Sequence, residues 1–233
     1  DRKCDICSLS GFVLAGALLG RIVPHGVVWM APQCSTWHPF LCKRYMQRNA
    51  ENKFYGNTER QDVREANITA HCVAFLAGLC TARSVYICVE NPRGSHLFNF
   101  PPVSKRCLEV GGILYSTYGG ALGWPTAKPM WIFSTVPEEL FAEFQYSKKA
   151  SDKKLGHLGK KAGETQLLTY VSGVKKQWAN GSKRSIKASE KYTPEFARLF
   201  SWVLRQLFLP LCTDELDSCE SQRTAQLDVL GLR

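Results

Sequence analysis

The spacing of apolar positions along the chain predicts alternating helices and strands. Apolar residues recur every three or four positions in four segments, which predicts helices over residues 10–23, 67–82, 104–110 and 195–209. Strands are predicted over residues 27–31, 85–89, 113–118 and 130–134, and the first two are continuous apolar runs. Such runs are typical of strands that are buried on both faces of a sheet. This order predicts an α/β fold with a mostly parallel, Rossmann-like sheet and helices on both faces.

Two long segments lack this periodicity. A polar loop is predicted from about residue 33 to 64, and residues 137–191 are charged, glycine-bearing and weakly periodic. We therefore divide the chain into four parts: an α/β core over 1–136, a basic, lysine-rich insertion over 137–191, a C-terminal helix packing back on the core over 192–210, and a polar tail over 211–233.

Composition restricts the class of protein. Hydrophobic residues make up 45% of the 233 positions, enough to build a core. No apolar run reaches the roughly 18 residues that span a bilayer, and the N-terminus shows no signal-peptide pattern. We therefore expect no membrane association and an intracellular, reducing compartment, in which the ten cysteines are free thiols.

Four cysteines lie in apolar stretches and are predicted to be small buried hydrophobes: Cys72, Cys80, Cys88 and Cys107. Cys4 and Cys7 have the spacing of metal ligands, but no second close pair of Cys or His accompanies them. We therefore predict no metal site. Asn67 begins an Asn-Ile-Thr sequon, which we interpret as the start of a helix.

The net charge of +10 is concentrated in one segment. Between Gln145 and Lys191 the chain carries twelve Lys or Arg residues and three acidic ones, nearly the whole excess. Such a concentration favours nucleic acid as a partner, although a solvated loop with lysines for solubility explains it equally well. Trp178 lies among the lysines, as in sites on which bases stack. The substrate-binding candidates in this segment are Lys175, Lys176, Trp178, Lys183 and Arg184.

Polar residues follow the first two predicted strands. Cys34 lies just after the first strand, and Glu90 and Asn91 come directly after the second. In open α/β sheets ligands bind outside the carboxyl ends of the strands, so we expect these residues to lie at one edge. A thiolate can attack C6 of cytosine, while a carboxylic acid near N3 stabilises the charge that results.

Four segments, taken in order, resemble the cytosine-C5 DNA methyltransferase superfamily, and specifically its divergent relatives in algae and dinoflagellates. They are VVWMAPQCSTW over 27–37, YICVENPRG over 86–94, YGGALGWPTAKPMWIFST over 118–135 and SEKYTPEF over 189–196. The resemblance covers roughly residues 5–205. It implies a class I methyltransferase-like fold, S-adenosylmethionine as the cofactor, and a target base flipped out of nucleic acid.

The resemblance also assigns roles to single residues. Cys34 would be the nucleophile, Glu90 the acid at N3, and Lys128 the counterpart of a substrate-orienting arginine. The residues implied at the cofactor are Asp5, Ile6 and Pro32, and those implied at the substrate outside the basic segment are Ser35, Asn91 and Arg93.

The chain departs from the family pattern at three places. Gln33 separates Pro32 from Cys34, and the turn that normally carries two arginines and a glutamine reads Thr-Ala-Lys-Pro over 126–129. The family's first strand and glycine loop would precede Asp5, so we expect a fold incomplete at the N-terminus, as in a fragment or a degenerate relative. The alternatives to an enzyme are a catalytically inactive nucleic-acid-binding module and a structural module that docks on an acidic protein partner.

Overall fold

A computed structural model describes residues 5–38, 47–124, 128–154 and 192–208. The helices are α1 (Leu9–Leu19), α2 (Gln61–Ala82), α3 (Pro101–Val110), α4 (Glu138–Phe141), α5 (148–154) and α6 (194–208). The strands are β1 (Val27–Met30), β2 (Tyr86–Pro92), β3 (Ile113–Tyr118) and β4 (Pro129–Ser134). None of the helices among the described residues has the length and apolar character that crossing a membrane requires.

The strands form one open sheet in the order β1-β2-β4-β3. β1 pairs in parallel with β2, whereas β4 pairs antiparallel with both β2 and β3. The prediction of an α/β fold is confirmed, but the sheet is mixed and not mostly parallel. The reason lies in the connection between β3 and β4, which spans only residues 119–128 and has no crossover helix, so the chain returns antiparallel and inserts β4 beside β2.

Two hydrophobic cores lie on opposite faces of this sheet. We call the side covered by α1, α2 and α3 the helical face, and the side covered by α4 and α6 the aromatic face. Side chains of β2 alternate between them, because Ile87 and Val89 join the helical-face core while Cys88 joins the other. The predicted placement of helices on both faces is therefore observed.

The helix ends differ from the predictions where local chemistry overrides the apolar period. α1 begins after Ser8, whose hydroxyl accepts a hydrogen bond from Gly11 N, and it ends at Leu19, before the predicted residue 23. α2 begins at Gln61, six residues earlier than predicted. Its first turn is polar except for the buried Val63, so it adds only one apolar position to the pattern. Asn67 is consequently a buried residue inside α2 and not the start of a helix.

α3 begins at Pro101, three residues before the predicted start, with the proline at a position where its missing N–H costs nothing. It ends before Gly111, whose φ of 71° lies in the left-handed region that glycine adopts without strain. The described cysteines are free thiols: Cys7, Cys34, Cys72, Cys80, Cys88 and Cys107. Cys80 and Cys88 are fully buried as expected, whereas Cys72 and Cys107 are only half-buried.

β2 extends three residues beyond its predicted end. Glu90, Asn91 and Pro92 continue the strand and pair with Ile132, Trp131 and Met130 of β4. The polar side chains therefore stand on a rigid strand, and they do not belong to a loop as the sequence suggested. This extension fixes the geometry of the candidate site.

Candidate active site at the carboxyl edge of the sheet

The carboxyl edge of the sheet is where β1, β2 and β3 end and β4 begins. Three hydrogen bonds connect the segments that meet there. The side-chain amide of Asn91 donates to the carbonyl of Pro32 at 3.0 Å, Arg93 N donates to the carbonyl of Pro129 at 3.0 Å, and Gly119 N donates to the carbonyl of Lys128 at 3.0 Å. The predicted meeting of the polar strand ends at one edge is therefore present.

Glu90 is the buried acid of this edge. Its side chain lies on the aromatic face and the residue is only 7% exposed. Burial raises the pKa of the Glu90 carboxyl, and the positive charge of Lys128 opposes that rise without cancelling it. Lys128 Nζ lies 4.0 Å from Glu90 Oε1, which brings together two of the three predicted catalytic residues.

Lys128 is held in an unusual conformation. Its φ of 30° lies in the left-handed region that a lysine rarely occupies. Its ammonium lies 5.1 Å from the ring centroid of Trp124, within the range of a cation–π interaction. The Trp124 ring is 1% exposed, and its buried Nε1 has no hydrogen-bond partner among the described residues. This ring is a fixed wall of the site.

Tyr192, which lies just before α6, contacts the aromatic residues beside the site. Its hydroxyl accepts a hydrogen bond from Trp29 Nε1 at 2.7 Å, which joins α6 to β1. Its ring lies 6.0 Å from that of Trp124. Burial, followed by the negative charge of Glu90, raises the pKa of Tyr192 to about 12. The Tyr192 hydroxyl is therefore neutral at physiological pH, and the charge of Glu90 acts on it.

Cys34 lies in a tight turn at the end of β1. Its carbonyl accepts hydrogen bonds from Trp37 N at 3.0 Å and His38 N at 3.1 Å, and the residue is half-buried. Ser35 is half-buried in the same turn, and Gln33 before it is exposed. Since β1 and β2 are neighbours, the turn with Cys34 follows the strand end beside Asn91.

Arg48 stabilises this turn through contacts with Thr36 and Trp37, a role that the sequence did not predict. The Arg48 guanidinium stacks on Trp37 at 3.5 Å from the ring centroid, and its Nε donates to the Thr36 carbonyl at 2.9 Å. It also donates to Asn67 Oδ1 of α2 at 2.7 Å. The residue lies in the aperiodic loop, so its spacing carried no signal; only its 3% exposure identifies it as structural.

The predicted substrate-binding residues separate into two groups. Asn91 is buried, and its Oδ1 accepts no hydrogen bond from the part of the chain that the structure describes, while the exposed Arg93 donates from Nη1 to Tyr118 Oη at 2.8 Å. Both lie at the carboxyl edge. The remaining candidates in the basic insertion, Lys175, Lys176, Trp178, Lys183 and Arg184, lie outside the described residues. Of the described basic residues on α5, Lys154 donates to the Ala121 carbonyl at 2.9 Å.

The residues implied at the cofactor do not fit S-adenosylmethionine. Asp5 Oδ1 accepts a hydrogen bond from Cys7 N at 2.9 Å and the Asp5 carbonyl accepts one from Ser8 N at 2.8 Å, so both groups close the turn before α1. Ile6 packs against the helical-face core. The Pro32 carbonyl is occupied by Asn91. Within the described ranges Asp5, Ile6 and Pro32 therefore make local structural contacts, and they do not form a set of polar groups arranged for the cofactor.

Among residues 5–38, 47–124, 128–154 and 192–208, no group of three or more His, Cys, Asp or Glu side chains could hold a metal ion. Comparisons with known proteins give no further assignment, because no family model, no curated protein and no solved structure matches this chain. The geometry of the carboxyl edge is therefore the basis of any functional proposal.

Proposed function

We propose that this chain is a Rossmann-like, methyltransferase-like domain that acts on cytosine in nucleic acid at the carboxyl edge of its sheet. The observation that carries the proposal is the burial of Glu90 beside Lys128, on the strand next to the turn that carries Cys34. A buried acid with a raised pKa is a frequent feature of enzyme active sites.

The proposed chemistry starts at Glu90 and Cys34. The Cys34 thiolate adds to C6 of the cytosine ring while the protonated Glu90 carboxyl gives its proton to N3. Carbon C5 then becomes nucleophilic and takes up a proton from water. Loss of a proton from C5, return of the N3 proton to Glu90 and expulsion of the thiolate restore the ring. This sequence needs only groups of this chain, a pyrimidine and water.

Lys128 and Trp124 support this chemistry electrostatically. Lys128 Nζ lies between the Glu90 carboxyl and the Trp124 ring, so its charge can stabilise negative charge on a bound base. The same charge lowers the pKa of Glu90 against the effect of burial, so the carboxyl can both give its proton to the base and take it back. In this proposal Lys128 therefore orients the base and tunes the acid.

The test is release of tritium from C5 of cytosine in a single-stranded oligonucleotide. We expect the wild-type chain to release it, Cys34→Ser to abolish release, and Glu90→Gln to slow it by a factor of about 10²–10⁴. Cys107→Ser is the matched control, since this half-buried thiol lies on α3, away from the carboxyl edge. Release that persists in Cys34→Ser would show that the thiol is not the nucleophile.

A second candidate is a nucleic-acid-binding module without catalysis. It is favoured by the poor fit of Asp5, Ile6 and Pro32 to the cofactor and by the net charge of +10. Calorimetric titration of S-adenosylmethionine, together with binding of the oligonucleotide at several salt concentrations, separates the two. Steeply salt-dependent binding, no heat from the cofactor and no tritium release would establish the module.

A further inference from the structure

A basic helix lies beside the candidate site, at the end of β3. This helix, α5, carries four lysines and a single acid over residues 148–154. Its inner side fixes it to the molecule, because Ser151 is 0% exposed and Lys154 Nζ donates to the Ala121 carbonyl at 2.9 Å. Ala121 belongs to the 119–128 connection between β3 and β4. These contacts place α5 at the carboxyl edge of the sheet.

The outer side of α5 presents charged side chains. Lys149 and Lys153 are exposed, lie one helical turn apart and occupy the side of the helix opposite the buried Ser151. Lys148 is also exposed and lies one turn before Asp152, whose negative charge offsets it. The exposed residues of α5 include no apolar side chain that could enter a bilayer or form the core of a protein interface. The partner that matches this side is a chain of anionic groups.

The acidic and basic residues of the aromatic face are separated along β3. Burial raises the pKa of Tyr115, in the middle of β3, and the charges of Glu138 and Glu139 add to that rise. Burial and then the charge of Glu143 raise the pKa of Tyr146, between α4 and α5. The lysines of α5 lie further along, at the carboxyl end of the strand. Positive charge is therefore concentrated on the part of this face next to the candidate site.

Arg93 adds a positive charge on the helical face of the same edge. Its side chain is exposed and Nη1 donates to Tyr118 Oη at 2.8 Å. Because side chains alternate along β3 and Tyr115 lies in the aromatic-face core, Tyr118 points to the helical face. Basic residues consequently flank the carboxyl edge on both faces, with Glu90 and Lys128 at that edge.

We infer that the outer side of α5 binds the phosphates of a single-stranded nucleic acid, which crosses the carboxyl edge to Arg93. The inference rests on the proposed function, in which a base of that strand enters at Glu90. A partner that contacts both faces has to bend sharply at the edge, which a single strand does easily. A duplex resists such bending, since it is stiff over about 150 base pairs. Lysines on α5 contact phosphates and not base edges, so they give affinity without sequence preference.

Binding of a short, fluorescently labelled, cytosine-containing single strand to the full chain tests the inference. The association constant is measured by anisotropy at several salt concentrations, because each phosphate contact adds about 0.7 to the slope of log K against log salt. We expect Lys149→Gln and Lys153→Gln each to reduce the slope of the wild type by about 0.7, and Arg93→Gln to do the same. Glutamine has nearly the helix propensity of lysine, so α5 stays folded.

Arg21→Gln is the matched control. Arg21 is an exposed cation just before β1, at the opposite edge of the sheet, and its replacement should leave the slope unchanged. An equal reduction in Arg21→Gln would overturn the inference, because net charge alone would then attract the strand. Displacement of the oligonucleotide by polyglutamate at an equal concentration of negative charge would also overturn it, in favour of an acidic protein partner.

The inference and the proposed chemistry fail in different ways. The predicted slopes without tritium release would refute the reaction at Glu90 and support α5 as the phosphate-binding surface. Tritium release with slopes that Lys149→Gln and Lys153→Gln leave unchanged would support the reaction and overturn the assignment of α5.

Discussion

The two faces of the sheet differ in the kind of side chain that fills them and in where those side chains come from. The helical face is built from α1, α2 and α3, which follow one another between residues 9 and 110. The aromatic face gathers Trp29 from β1, Phe141 and Phe144 near α4, and Phe196 from α6. The face that bears Glu90 therefore depends on long-range contacts, whereas the opposite face is assembled from neighbouring elements.

Phe196 is the centre of the aromatic face. Its ring lies 5.0 Å from Trp29, 5.6 Å from Trp124 and 4.6 Å from Tyr192. We expect Phe196→Ala to lower the free energy of unfolding by about 3–5 kcal/mol and to expose Glu90. Phe100→Ala, at an equally buried position on the helical face, should cost a similar amount without changing the environment of Glu90.

Urea unfolding of both variants measures the loss of stability, and NMR titration of the glutamate carboxyl groups measures the pKa of Glu90. The comparison predicts that this pKa moves toward its ordinary value only in Phe196→Ala, because desolvation is what raises it. An equal change in Phe100→Ala would mean that the two faces do not act separately on the site.

Glu90 itself makes the stability of the protein depend on pH. Because burial raises the pKa of its carboxyl in the folded state, the folded protein holds a proton that the unfolded chain releases. The contribution of Glu90 to the free energy of unfolding is therefore fully present below the ordinary pKa of a glutamate, about 4.3. It is lost as the pH rises through the raised pKa of Glu90 in the folded protein.

Glu90→Gln removes this loss. We expect its stability relative to the wild type to grow with pH over that window and to become constant above it, as measured by thermal unfolding at several pH values. Glu51→Gln removes an exposed carboxylate elsewhere on the surface and is the control for the lost charge. A difference between Glu90→Gln and the wild type that does not change with pH would contradict the assignment of Glu90 as a buried acid.

The smallest expected effect concerns the hydrogen bond between Trp29 and Tyr192. Tyr192→Phe keeps the stacking on Phe196 but leaves Trp29 Nε1 without its acceptor at 2.7 Å. We expect a loss of about 0.5–1.5 kcal/mol, measured by urea unfolding. Tyr55→Phe, which changes an exposed tyrosine against the helical-face residue Phe100, is the matched control. Equal losses in both would show that the bond contributes nothing specific.

Periodicity predicted the positions of most elements because it reports which residues are buried. β3 was predicted at the residues it occupies, since its segment is bounded by glycines at both ends. The start of α2 and the end of β2 were missed for a common reason. Apart from Val63 and Pro92, polar residues occupy both, and a polar residue in a helix or strand looks the same in a sequence as one in a loop.

The candidate site was only partly predictable. The strand ends pointed to Cys34, Glu90 and Asn91, and the structure places all three at the carboxyl edge. Arg48 could not be found in this way, because its partners are backbone carbonyls and Asn67, whose approach depends on how the loop folds. Tyr192 was likewise hidden, since its relation to Trp29 joins positions far apart in the sequence.

The sequence by itself determined the α/β class, the alternation of buried strands with helices and the concentration of positive charge after residue 145. These features depend on local spacing and composition, which the sequence states directly. Only the tertiary structure decided that β4 inserts between β2 and β3, that Glu90 is buried beside Lys128, and that the apolar side chains of Leu9 and Val13 on α1 are exposed. Such features depend on which distant segments meet, and burial, which sets the pKa of Glu90, arises only when they do.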